Sequence, residues 1–92
     1  MAHKRVHIIV SGLVQGVFFR KNTEITAHKL GLFGKVQNLP DGNVEILAEG
    51  EHKNLQKLVE WCHKGPPRAR VDKIETKWLE PQNDFTSFQK VH

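Results

Sequence analysis

The stretch Val10-Ser11-Gly12-Leu13-Val14-Gln15-Gly16-Val17-Phe18-Phe19-Arg20 has the residue types and spacing best suited to chemistry in this chain. An apolar strand runs into a short loop bracketed by Gly12 and Gly16, and the loop delivers Arg20 onto the start of a helix. That order brings free backbone N–H groups, the positive end of a helix dipole and a planar cation to one point. The guanidinium fork adds bidentate recognition of phosphate or carboxylate oxygens. The pattern predicts an oxyanion seated in the loop.

Arg20 is the strongest single candidate. A cation in the first helical turn opposes the dipole by roughly a few tenths of a kcal/mol, so it makes better physical sense with an anion beside it. Gly12 and Gly16 permit loop conformations that let successive N–H groups point into one concavity, although each also reads as an ordinary turn glycine. Asn38 shares a strand face with Val36. Its amide either caps the following turn or holds a water or substrate by donating and accepting at once.

These residues need elements to position them. Val6, Ile8 and Val10 alternate with His7, Ile9 and Ser11, which predicts a first strand with one apolar face. Phe19, Thr23, Ala27 and Leu30 recur at helical spacing, and Gly31-Leu32 ends that helix. Gly34 to Leu39 and Asn43 to Glu49 read as a hairpin turning at Pro40-Asp41-Gly42. Leu55, Leu58, Val59 and Cys62 form the apolar stripe of a second helix, stopped by Gly65-Pro66-Pro67. A charged, alternating strand covers about Ala69 to Leu79, Pro81 breaks it, and Phe85 to Val91 adds a last short edge strand.

The order is β-α-β-β-α-β, the split βαβ or ferredoxin-like α+β arrangement, an antiparallel sheet with two helices on one face. Residues 1–92 form one domain on this reading. The first two strands run the same way with one strand between them, so the loop and Asn38 emerge at the same sheet end. The implied separation is about 10 Å, which a loop leaning inward can close around a phosphoryl group.

Composition narrows the partners. Hydrophobic residues make up 38% of the chain and charged residues 26%, which fits a folded soluble domain. No apolar run reaches the roughly 18 residues of a membrane span, and no signal peptide is apparent, so the chain reads as cytoplasmic. The lone Cys62 excludes an intrachain disulfide and reads as a small buried apolar residue. A net charge of +4 suits anionic partners but is spread without the clustered patch of a nucleic-acid binder. His3 and His7 lie about 13 Å apart on a strand, and the remaining histidines fall in separate segments, so no metal site is expected. Phe18 and Phe19 precede a helix and lack the aromatic strand motif of RNA-recognition domains. Trp61 and Trp78 read as core or partly covered packing residues.

Two spaced motifs then resemble a family. Val10-x-Gly12-x-Val14-Gln15-Gly16-Val17-x-Phe19-Arg20, followed by Gly34-x-Val36-Gln37-Asn38-x-x-x-Gly42-x-Val44 and Gly50, is similar to acylphosphatase. The resemblance continues through Ala27-x-x-Leu30-Gly31-Leu32, Leu39-Pro40-Asp41-Gly42 and Gly65-Pro66-Pro67-x-Ala69-x-Val71, and so covers nearly the whole chain. It implies hydrolysis of the carboxyl–phosphate anhydride of small acyl phosphates, with no metal and no cofactor. By motif position, Arg20 and the backbone of Gln15, Gly16, Val17, Phe18 and Phe19 bind the phosphoryl group, and Asn38 orients the attacking water. Inorganic phosphate would be product or inhibitor, with no nucleic-acid or membrane partner and a monomer as the working unit. Lys35 stands where the family usually carries an aromatic residue, which bears on local packing and acyl-group preference, and Phe18 fills a loop position often held by something smaller, which would stiffen the loop or narrow the pocket. A non-catalytic anion-binding module on the same fold is the alternative.

Overall fold

The computed structural model describes residues 2–91. The elements follow in the order β1 (His3–Leu13), α1 (Phe19–Lys29), β2 (Phe33–Asn38), β3 (Val44–Glu51), α2 (His52–Lys64), β4 (Arg70–Leu79) and β5 (Phe88–Val91). They build one sheet in the order β4-β1-β3-β2-β5. β1 to β4 pair antiparallel as the α+β reading expects, with Val6 opposite Ala48, Ile8 opposite Ile46 and Val36 opposite Ile46 in register. β5 adds parallel to β2, so the complete sheet is mixed.

Side-chain period fixes which face is covered. Val6, Ile8 and Val10 on β1, Val36 on β2 and Val44, Ile46 and Ala48 on β3 are fully buried. Helix α1 meets them with Phe19, Thr23 and Ala27, and α2 with Leu55, Leu58 and Cys62. The Thr23 hydroxyl donates to the Phe19 carbonyl at 2.8 Å, which satisfies a polar group inside this layer. Burial pushes the Cys62 thiol up, well away from thiolate chemistry. α1 closes with a paired-bond turn in which Leu32 N–H donates to Ala27 and Gly31 N–H to His28. Trp61 packs on Phe19 with ring centres 5.3 Å apart. Trp78 remains 42% exposed on edge strand β4, with the His52 ring set perpendicular to it at 4.7 Å, so it is partly covered and outside the core.

β4 and β5 lie on opposite edges, so residues 80–87 must cross the sheet end. They do so over a buried ion pair on the face away from the helices. Arg5 and Glu49 sit opposite each other on β1 and β3 at 3.2 Å. The Glu49 carboxylate accepts the N–H groups of Gln82 and Asn83, while Arg5 reaches Asp84 at 2.8 Å and lies over the Phe85 ring. Gly34 N–H then donates to Ser87 and starts the β5 pairing. Among the described residues, no helix is long and apolar enough to cross a membrane.

Burial alone pushes the Glu49 carboxyl up, but the donors from Gln82, Asn83 and His3, with Arg5, outweigh it and leave it below the ordinary 4.5. A depressed acid stabilises the fold above the ordinary value, and that contribution fades as pH falls from 4.5 toward the folded value. Glu49→Gln should therefore cost about 3 kcal/mol near neutral pH and flatten the loss of stability on acidification, as read by urea denaturation across that range.

Candidate active site

The segment between β1 and α1 is built to leave its amides open. The β1–β4 register slips at Ser11–Gly12, where Asp72 is the extra residue on β4, and a Cβ on Gly12 would collide with the Arg70 carbonyl oxygen. Gly16 has φ +74° with open space around it, so conformation rather than crowding calls for glycine there. Phe18 takes the left-handed conformation at φ 64°, ψ 25° and stands at the N-cap of α1. That conformation costs an L-residue roughly 1–2 kcal/mol. Among the described residues, the N–H groups of Gln15 through Phe19 find no protein acceptor. Among the described residues no side chain caps the helix, and its first turn holds no acid.

Arg20 and Asn38 line one cleft of about 450 Å³ with Val14, Gly16, Phe18, Phe19, Lys21 and Lys90. Among the described residues, three cations and no carboxylate face this space, so its field favours an anion. Arg20 is half-buried, and its Nη1 donates to the Val91 carbonyl at 2.8 Å. That bond belongs to a stripe along α1. One turn on, Glu24 accepts the Lys90 N–H at 2.7 Å, and one turn further His28 donates to the Phe88 carbonyl at 2.8 Å. Arg20, Glu24 and His28 thus stitch α1 to the backbone of β5, which holds the guanidinium at the cleft.

Asn38, exposed at the end of β2, makes no hydrogen bond through its amide among the described residues. The turn after β2 is closed by other groups. Asp41 accepts the Asn43 N–H at 3.0 Å, and Leu39 N–H donates to the Asn43 carbonyl. Gln15 reaches across with its amide nitrogen to the carbonyls of Leu39 and Asn43, both at 2.8 Å. Its side chain therefore ties the loop to the hairpin that carries Asn38.

Of the residues singled out from sequence, Gly16, Phe18, Phe19, Arg20 and Asn38 meet at the cleft. The Gln15 side chain turns to the hairpin, and Val17 is buried with its side chain toward a neighbouring groove. Sequence reasoning missed Lys21, Lys90, the Gln15 strut and the α1 stripe. The i, i+4, i+8 spacing of Arg20, Glu24 and His28 was a readable signal for the stripe. Lys90 was not readable, because its place depends on where the chain after Pro81 docks.

Comparison with known proteins gives a consistent result. The Acylphosphatase family model matches residues 6–90. The acylphosphatase of Marinobacter nauticus is 52% identical over 92 residues, covering all of both chains. The crystal structure of acylphosphatase from Bacillus subtilis superposes with a TM-score of 0.93 at 39% identity, over 97% of this chain and 99% of that one. An acylphosphatase structure from Coxiella burnetii gives a TM-score of 0.92 at 38% identity, over 97% of this chain and 93% of that one.

Truncating Gln15 tests whether the strut matters to anion binding. Gln15→Ala removes one of two donors from each carbonyl, which keep the backbone bonds from Gly42 to Leu39 and from Leu39 to Asn43, and should cost about 1 kcal/mol. Gln15→Glu should be worse, because it turns a carboxylate oxygen toward two carbonyl oxygens. Calorimetric titration with inorganic phosphate should show several-fold weaker binding in both.

Proposed function

This chain belongs to the acylphosphatase family and is an acylphosphatase, and from that premise we propose how it works. It hydrolyses the carboxyl–phosphate anhydride of small acyl phosphates without a metal or cofactor. Arg20 and the N–H groups of Gln15, Gly16, Val17, Phe18 and Phe19 bind the phosphoryl group, and Asn38 orients the attacking water. The observation that carries this reading is the run of amides without protein acceptors, set beside a guanidinium and opposite an unengaged amide in one cleft.

Phosphoryl transfer needs mostly positioning and charge stabilisation. Negative charge spreads over three phosphoryl oxygens as water approaches from one side and the carboxylate departs on the other. Arg20 supplies a two-pronged donor and the loop amides supply the rest, pre-set by Gly16 and Phe18 and so needing little reorganisation. The water oxygen forms a bond to phosphorus, and the bond from phosphorus to the bridging oxygen breaks. The leaving group departs as a carboxylate, a weak base that needs no protonation. Asn38 accepts one water hydrogen and holds the oxygen in line, and the other proton passes to a phosphoryl oxygen. Lys21 and Lys90 add positive field at the same cleft.

Hydrolysis of benzoyl phosphate followed by ultraviolet absorbance in excess EDTA tests the reading. Wild type should turn over unimpeded by the chelator. Arg20→Ala should lose about a thousandfold or more in kcat/KM, together with inhibition by phosphate. Arg20→Lys should also fail badly, since a point charge cannot reproduce the fork. Asn38→Ala should lose about a hundredfold in kcat while phosphate inhibition stays near wild type. Full activity in Asn38→Ala would remove the water-orienting role, and phosphate binding without hydrolysis by wild type would make the protein a binding module.

A further inference from the structure

Phe18 separates the cleft that faces Arg20 from a neighbouring hollow. Beyond that side chain lies a second groove of about 610 Å³, between α1 and the turn after α2. Val17, Phe18, Ile25, Pro66 and Pro67 give it apolar walls. Phe18 and Lys21 line both hollows, so the two spaces share a wall. Phe18 is 62% exposed and Ile25 40%, so neither side chain is used up by the core. Phe18 is also held left-handed, a conformation that bulky residues seldom adopt, and this keeps its side chain at the junction.

We propose that this groove is the acyl subsite: it receives an apolar acyl group, aromatic or branched, from a substrate whose phosphoryl group lies in the loop. The proposal rests on the phosphoryl-site reading above and deepens it. Phosphorus and the carbonyl carbon are separated by a single bridging oxygen, and the acyl substituent begins one bond further on. A substrate held at the loop amides therefore projects its substituent past Phe18. The groove's apolar walls favour a ring or branched chain there over a bare methyl, and Lys21 and Arg68, which also line it, disfavour a cationic group. A methyl group is too short to reach Ile25 or the prolines. The residues that set acyl preference are thus Phe18 and Ile25, and the catalytic groups are untouched by it.

Ile25 lines the groove and not the phosphate cleft, so Ile25→Ser separates the two. Benzoyl phosphate and acetyl phosphate, assayed side by side, should respond differently. Ile25→Ser should lower kcat/KM for benzoyl phosphate about three- to tenfold and leave acetyl phosphate within about twofold. Inhibition by inorganic phosphate should be unchanged. Ile25→Leu should restore most of the benzoyl preference, which a general loss of helix packing would not explain. If Ile25→Ser lowers both substrates equally, or neither, the subsite is wrong while the phosphoryl site stands. If folded wild type cleaves neither substrate, the phosphoryl-site reading fails and the subsite falls with it.

Discussion

The two hydrogens of the Gln15 amide, donated to Leu39 and Asn43, hold together the parts of the site that the chain makes far apart. β1 and β2 run parallel with β3 between them, so their ends face the same way but do not touch. Left alone, a loop from one and a hairpin from the other would keep whatever distance thermal motion allowed. The strut sets that distance and satisfies two turn carbonyls at once. Everything that follows, from the open amides to the placing of Asn38, depends on the loop being held in this shape.

A second support comes from the opposite direction. The crossing segment 80–87 is fastened over the Arg5–Glu49 pair, and it delivers β5 to the free edge of β2. α1 then grips β5 through Arg20, Glu24 and His28. An ion pair at one end of the sheet is therefore linked, through a strand of four residues, to the guanidinium at the other. Arg20 is buttressed by a backbone carbonyl rather than by a carboxylate among the described residues, which leaves its charge available to an anion.

Much of this was legible in the sequence, because local rules and tertiary structure agree here. Period-two alternation in Val6, Ile8 and Val10 and the helical stripe of Leu55, Leu58 and Cys62 marked the buried faces. Gly31 and Pro40-Asp41-Gly42 marked the ends, and the loop glycines with Arg20 marked the candidate site. The two readings of Asn38 could not be separated without knowing that Asp41 and Gln15 already close the turn. The parallel docking of β5 and the arrival of Lys90 were also hidden, since they depend on side-chain contacts far apart in the chain, such as Arg5 with Asp84. Trp78 shows the same limit. An aromatic on an alternating strand reads as packing, but an edge strand with one helix near it cannot cover a whole indole.

The central claim is that the Gln15 to Phe19 amides and Arg20 together form the phosphoryl site. The most direct measurement is a nitrogen-15 NMR titration of the protein with inorganic phosphate, repeated on Arg20→Ala. The account predicts saturable shifts concentrated on the amides of Gln15, Gly16, Val17, Phe18 and Phe19 and on the Arg20 side-chain N–H groups, with the amide shifts greatly reduced in the variant. Shifts centred elsewhere, or loop shifts that persist in full without the guanidinium, would contradict it.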